Sequence, residues 1–166
     1  MKTQISILFI LLGVLSLSSC KKTIEGELGE PFDKVSGMAG KWQLTSFSQT
    51  DLNNPIQEKR DLSRFYIKDG ITPLEITFTK AGRTYETDIE FGKNYFGTSG
   101  TWGFDNEEYP SYLLLYGETD TLQFNLGSVV RSFDQTMSIE LPRGCSLNTA
   151  DAIPTVVYTF EFTRQD

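Results

Sequence analysis

The stretch LEITFTKAGRTYETDIEF, residues 74–91, decides the fold because apolar and polar side chains alternate along both of its halves. In residues 74–79, leucine, isoleucine and phenylalanine occupy every second position, with glutamate and threonine between them. Residues 84–91 continue the pattern with tyrosine, isoleucine and phenylalanine on one face. A period of two with one apolar face indicates antiparallel strands that are buried on one side and wetted on the other. The link KAGR contains a glycine and has hairpin length, so the stretch predicts two adjacent strands.

The same kind of short segment recurs along the chain and predicts an all-β domain. The eight predicted strands are residues 41–50, 74–79, 84–91, 100–105, 111–116, 121–126, 136–141 and 155–164. Six of the eight alternate cleanly. The fifth, SYLLLY, is apolar on both faces, so we expect its outer face to be covered, in the first place by the protein's own segments.

One stretch has helical spacing, DLSRFYIKDG at residues 61–70. Asp61 can cap its N-terminus, Leu62, Phe65 and Tyr66 fall on one face, and Gly70 can end the turn. The stretch lies in a connection, residues 51–73, that is longer than most loops. Long connections of this kind are typical of lids or binding loops.

The N-terminus has the order of a secretory signal. A lysine at position 2 is followed by the apolar run 5–17, which is too short to span a membrane, and then by two serines and Cys20. The residues LSSC at 17–20 resemble a bacterial lipobox, which implies cleavage before Cys20 and acylation of that cysteine. The alternative is ordinary cleavage followed by a disulfide between Cys20 and Cys145.

These observations predict three segments: a lipoprotein signal peptide at 1–19, a lipidated tether at 20–35 and an all-β domain at 36–166. We expect the protein to contact the membrane through its lipid anchor. Cys20 is followed directly by a lysine and not by the aspartate that retains lipoproteins in the inner membrane of enteric bacteria. The acidic run that resembles a surface-export signal is also missing directly after Cys20. We therefore expect attachment to the outer membrane, facing the periplasm.

The composition argues against several classes of function. The formal net charge is −7, which disfavours nucleic acid as a partner because phosphate neutralisation requires Lys and Arg. The chain has no histidine, so Ser-His and Cys-His nucleophile pairs and imidazole metal ligands are excluded. Cys145 lies near Arg143 but has no base beside it, which favours an inert thiol. We expect neither an enzyme nor a metal or cofactor site.

Two short motifs resemble the lipocalin and wider calycin signature: GKWQL at residues 40–44 and FEFTR at the chain end. The resemblance implies an eight-stranded up-and-down antiparallel barrel that is closed at one end by Gly40, Trp42 and Arg164, with the Arg164 side chain over the Trp42 ring. The chain is most similar to lipocalin-like lipoproteins of Bacteroidota. The irregular link 142–154 replaces the usual helix, which leaves a β-sandwich or partly open barrel as the alternative.

The resemblance also implies a small hydrophobic or amphipathic ligand, lipid or glycan-like, inside the barrel. Residues with a flat apolar body and a polar edge suit such a site. The candidates are Tyr85, Trp102, Tyr112, Tyr116 and Tyr158. The alternative is that these side chains fill the core of a narrow barrel. In that case the protein is a protein-interaction or envelope-assembly factor, and its function lies on the outer face near Tyr112 and Tyr116.

Overall fold

The computed structural model describes residues 32–67, 73–88, 90–127, 135–144 and 153–165, and most of these residues lie in strands. The strands are β1 (Gly40–Asp51), β2 (Lys59–Asp61), β3 (Glu75–Thr79), β4 (Thr84–Thr87), β5 (Ser99–Phe104), β6 (Tyr112–Tyr116), β7 (Thr121–Leu126), β8 (Thr136–Arg143) and β9 (Val156–Gln165). The helices are α1 (Lys34–Met38), α2 (Ser63–Tyr66) and α3 (Glu90–Phe96), with a 3-10 turn at Ala81–Arg83. No described helix is long and apolar enough to cross a membrane.

Eight of the strands form a closed antiparallel barrel. The order is β1-β3-β4-β5-β6-β7-β8-β9, and β9 pairs with β1 to complete the circle. Each of these strands, apart from β1 and β9, pairs with its neighbours along the chain, which is the up-and-down arrangement that short links between alternating segments predict. The predicted eight-stranded barrel is confirmed, and the sandwich alternative is wrong.

The strand β1 changes partners along its length. It pairs with β9 from Lys41 to Asp51, whereas on its other side it pairs first with β3 and then, at Ser48–Thr50, with β2. A register shift between Leu44 and Ser46 lets the strand bend where the partner changes. The strand β2 is therefore an extra strand beyond the eight of the barrel, and the sequence pattern did not predict it.

The barrel has two ends that differ in structure. At the closed end β1 begins at Gly40 and β9 ends, and α1 precedes β1 there. At the open end β1 ends at Asp51, β8 ends at Arg143, and the short turn 117–120 joins β6 to β7. The helix α3 also lies at the open end, because it connects the end of β4 to the start of β5.

Helix α3 occupies a place where the sequence predicted strand. The predicted strand 84–91 ends at Thr87, and Glu90–Phe96 is helical. Gly97, with φ of 76°, ends the helix, and its N–H donates to the Lys93 carbonyl at 3.0 Å. The prediction was wrong here because it took Phe91 as the end of the alternation, whereas Phe91 and Tyr95, four residues apart, form the apolar stripe of a helix.

The side chain of Phe96 enters the barrel and fills its interior. Phe96 is fully buried, and its ring stacks on Phe124 at 5.0 Å and meets Phe160 edge-on at 4.9 Å between centroids. The two partners are inward-facing residues of β7 and β9. Helix α3 is therefore a plug, since a side chain from the connection occupies space that a hollow barrel would leave to a ligand.

The predicted helix at 61–70 is shorter in the structure, and α2 spans only Ser63–Tyr66. The Asp61 carboxylate accepts from the Ser63 N–H at 2.8 Å, although the residue at the N-cap position is Leu62. Leu62 and Tyr66 pack against the core, but Phe65 is 51% exposed, so its predicted place on the buried face is wrong. Leu62 lies at the N-cap, outside the helix, so helical spacing does not place it and Phe65 on one face. The predicted stop at Gly70 lies outside the described residues.

Candidate functional site

The closed end is sealed by the residues of the lipocalin-like signature. Trp42 is fully buried and its indole N–H donates to the Met38 carbonyl of α1 at 2.9 Å. The guanidinium carbon of Arg164 lies 5.5 Å from the centre of the Trp42 ring, and its Nη2 donates to the Ala39 carbonyl. A side chain at Gly40 would place Cβ 2.9 Å from the Arg164 guanidinium, so only glycine leaves room for it. This end has a structural role.

Two of the predicted ligand residues belong to the packed interior. Tyr85 is 3% exposed and its hydroxyl donates to the Phe96 carbonyl at 2.8 Å. Trp102 is 2% exposed, and its indole N–H donates to the Thr79 carbonyl at 3.2 Å. Both polar edges are thus satisfied by the backbone, and both rings serve the core, as in the core-packing alternative.

Two further candidates, Tyr112 and Tyr116, do not face the interior, and their predicted place inside the barrel is wrong. Leu113 and Leu115 are fully buried, so the intervening residues of β6 point outward. Tyr112 is 36% exposed and Tyr116 is 42% exposed. The expectation that the protein's own segments cover this face is also wrong for these two tyrosines. A segment that is apolar on both faces does not indicate which face is inside, so only the register with β5 and β7 decides it.

The fifth candidate, Tyr158, lies at the open end in a ring of aromatic side chains. The four rings are Tyr66 of α2, Phe91 and Tyr95 of α3, and Tyr158 of β9. We call these rings, together with Asn94 and Arg143, the aromatic mouth. The mouth is a shallow depression of about 540 Å³. Its four rings are partly exposed, whereas Phe47 beneath them is fully buried and contacts each one at centroid distances from 5.3 to 5.8 Å.

The rings hold one another in defined orientations. Tyr66 stacks on Phe91 with centroids 4.0 Å apart and planes 19° from parallel. Tyr95 meets Phe91 at 5.2 Å and Tyr158 at 5.5 Å, both edge to face. The edge-to-face contacts of Tyr95 are arrangements that aromatic quadrupoles favour. A mouth built in this way is preorganised, because each ring is fixed before a ligand arrives.

The electrostatics of the mouth bring three phenol groups and one cation together. Burial raises the pKa of Tyr95, the nearby Tyr158 and Tyr66 raise it further, and Arg143 opposes them. Arg143 is exposed, and among the described residues no carboxylate lies within ion-pairing distance of it. The mouth therefore offers flat apolar rings beside a guanidinium that is available to a ligand.

A second depression, the polar cleft, adjoins the mouth on the other side of α3. It measures about 570 Å³ and shares Asn94 and Arg143 with the mouth. Lys93, Glu118 and Asp120 supply further charges to its walls. In the described ranges, no three Asp, Glu, Cys or His side chains gather as metal ligands would.

Sequence reasoning missed most of the mouth. Phe91 and Tyr95 were assigned to a strand or left out, and Asn94 was not singled out. The available signal was the spacing of four between Phe91 and Tyr95, followed by Gly97 as a helix stop. Arg143 was considered only as a neighbour of Cys145, and its place at the end of β8 depends on the tertiary register.

Comparison with known proteins adds no family assignment, because no protein-family model and no curated protein sequence matches the chain.

The predicted lipidation site Cys20, the thiol Cys145 and the tether before residue 32 lie outside the described residues.

Proposed function

We propose that this protein is a lipid-anchored envelope protein that binds a small amphipathic ligand at the aromatic mouth of a filled, lipocalin-like barrel. The observation that carries the proposal is the group of four partly exposed rings around Phe47 with Arg143 beside them. The interior is a poor site for a ligand, because Phe96 and the inward-facing aromatic residues of the barrel pack there.

The residues of the mouth favour a ligand with two kinds of surface. Tyr66, Phe91, Tyr95 and Tyr158 offer apolar ring faces, which suit a flat or aliphatic body. Arg143 and Asn94 offer hydrogen-bond donors, and the guanidinium attracts an anionic or strongly accepting group. The ligand is therefore a lipid-like or glycan-like molecule with an acceptor group near its apolar body.

The position of the mouth suits a protein held by an N-terminal anchor. The described domain enters β1 through α1 at the closed end, whereas the mouth lies at the open end. A tether that joins the domain at the closed end does not need to pass the mouth. The proposed place of attachment is the outer membrane, with the domain in the periplasm.

Titration with 1-anilinonaphthalene-8-sulfonate tests the mouth, because this probe combines a flat apolar body with an anionic group. The domain is used from Phe32 onward, where the chain forms one unit. We expect fluorescence to report saturable binding, weakened roughly tenfold by Tyr158→Leu and by Arg143→Gln. Tyr116→Leu on the outer face is the matched control and should bind as the parent does. Binding that none of the mouth variants changes would contradict the proposal.

A second function, protein interaction without a small ligand, is favoured by one observation. Tyr112 and Tyr116 are exposed on the outer face of β6, and the half-buried Leu114 lies between them along the strand. Crosslinking of intact envelopes should then recover a partner with the parent protein and lose it with Tyr112→Ser and Tyr116→Ser combined. Recovery that depends instead on Tyr158 would assign the interaction to the mouth.

A further inference from the structure

Apolar and charged groups follow one another in a fixed order across the open end of the barrel. The four rings of the aromatic mouth line the mouth and not the polar cleft. Asn94 and Arg143 line both depressions. Glu118 and Asp120 line the cleft and not the mouth. The order across the surface is therefore apolar rings, then an amide and a guanidinium, and then two carboxylates.

The strand β8 places Arg143 at the boundary between the two depressions. Met137, Ile139 and Leu141 are buried, and Arg143 continues their alternation, so its side chain lies on the inner side of the strand. The strand ends at this residue, and Arg143 is exposed. A guanidinium presents its N–H donors in a planar fork that matches the oxygens of a phosphate group. The boundary therefore suits an anionic group.

Both carboxylates come from the turn 117–120, which joins β6 to β7. The Gly117 N–H donates to the Asp120 carbonyl at 2.9 Å and closes the turn. Glu118 and Asp120 are exposed. Within the described ranges, no Lys or Arg side chain lies within ion-pairing distance of either carboxylate. The negative charge of the turn is thus available to a cationic group of a ligand.

The cleft has the size of a small-molecule site. Its volume of about 570 Å³ falls within the ~300–1,000 Å³ that such sites occupy. Lys93 of α3 and Arg143 of β8 bring positive charge to its lining, and both of these elements also contribute to the mouth. The charged side chains of the turn are both acidic. Positive charge therefore comes from elements that build the mouth, and negative charge comes from the turn beyond them.

We propose that the mouth and the cleft together bind one zwitterionic amphiphile. Its apolar chain lies on the rings, its anionic group contacts Arg143, and its cationic group lies beside Glu118 and Asp120. A lipid whose phosphate is followed by an amine or a quaternary ammonium carries its groups in this order. The inference rests on the proposed function, because it needs the mouth, and it adds the charge and the order of the head group.

Calorimetric titration with three decyl amphiphiles, each below its micelle-forming concentration, tests the order. The domain from Phe32 onward is used, because the described hydrophobic core lies entirely within it. Decylphosphocholine has its anion next to the chain and its cation outermost. The decyl sulfobetaine, a dimethylammonio-propanesulfonate, has the reverse order, and decyl sulfate has the anion alone. We expect decylphosphocholine to bind about two- to fivefold more tightly than either of the others, as weak surface ion pairs allow.

Equal binding of decylphosphocholine and the sulfobetaine would overturn the proposed order of charges. Phosphocholine without a chain should bind far more weakly, because it cannot contact the rings. Binding of this chain-free compound as tight as that of decylphosphocholine would overturn the assignment of an amphiphile. If none of the three amphiphiles binds, the inference fails. The proposed function fails with it only if 1-anilinonaphthalene-8-sulfonate also does not bind at the mouth.

Removal of the two carboxylates should change two ligands in opposite directions. In Glu118→Gln combined with Asp120→Asn, decylphosphocholine should bind about two- to fivefold more weakly, because its cation loses its partners. Decyl sulfate should bind more tightly, because a repulsion is removed. Arg143→Gln should weaken both ligands roughly tenfold. Glu107→Gln combined with Glu108→Gln removes the same charge at the closed end and should leave both unchanged. A double variant at Glu118 and Asp120 that binds both ligands as the parent does would overturn the proposal.

Discussion

Arg164 and Trp42 face each other across β1 and β9, and the Arg164 guanidinium lies over the indole ring with its carbon 5.5 Å from the ring centre. The contact joins the first strand of the barrel to the last. It combines a cation-π interaction with a hydrogen bond from Arg164 to the Ala39 carbonyl. A single side chain thus contacts both the Ala39 carbonyl, directly after α1, and the Trp42 ring of β1.

Replacing Arg164 by methionine should lower the free energy of unfolding by about 1–3 kcal/mol, because both the cation-π contact and the hydrogen bond are lost. Urea denaturation of the domain measures the change. Arg60→Met on the exposed strand β2 is the control and should alter stability by less than about 0.5 kcal/mol. An Arg164 variant as stable as this control would show that the barrel closes without the contact.

Gly40→Ala should destabilise the domain by about 1–3 kcal/mol. The residue has φ of 141°, and a Cβ would lie 2.9 Å from the Arg164 guanidinium. The double variant with Arg164→Met should lose less stability than the two single changes added together, since the clash disappears with the arginine. Gly117→Ala, at a turn without positive φ, is the matched control. Simple additivity in the double variant would mean that backbone strain alone sets the cost.

Phe96→Ala should cost about 3–5 kcal/mol of unfolding free energy, because it empties a fully buried space among Phe124, Phe160 and Phe162. Phe65→Ala removes the same group from an exposed position and should change little. Thermal or urea unfolding compares the two. Equal losses would contradict the role of α3 as the plug of the barrel.

Asp33 should give the domain an acid-sensitive contribution to stability. Hydrogen bonds from Lys80 and Ser36 hold the pKa of this carboxyl well below its usual value of 3.8. A carboxyl whose pKa is depressed in the folded state stabilises the fold at pH values above its unfolded-state pKa. This stabilisation is lost as the pH falls through the folded-state pKa. We expect Asp33→Asn to be less stable than the parent at pH 7, with the difference shrinking as pH falls below 4. A difference independent of pH would assign the effect to helix capping alone.

Cys20→Ser should abolish lipid attachment if the lipobox prediction is right. Metabolic labelling with an alkyne fatty acid and detergent phase partitioning measure the attachment. Cys145→Ser is the matched control and should label as the parent does. Labelling that persists in Cys20→Ser would contradict the proposed anchor.

The fold was predictable from the sequence to a large extent, and the site was not. Seven of the predicted strands correspond to strands of similar bounds. They were predictable because successive side chains of a strand point to opposite faces, so buried residues such as Leu74, Ile76 and Phe78 occupy every second position. The strand predicted at 84–91 was correct only to Thr87. Phe91 instead belongs to a helix, in which it lies four residues before Tyr95 and which ends before Gly97. Of the five predicted ligand residues, only Tyr158 lies in the mouth.

The sequence by itself determined that this chain alternates in short antiparallel segments and carries a Gly-x-Trp and a terminal arginine at the two ends of the barrel strands. Those features are local, so they can be read one segment at a time. The tertiary structure decided that Tyr112 and Tyr116 point outward, that Phe96 fills the interior, and that Tyr158 lines the mouth with rings of α2 and α3. Each of these outcomes depends on which residues from distant parts of the chain become neighbours. The alternation of side chains along one strand does not identify those neighbours.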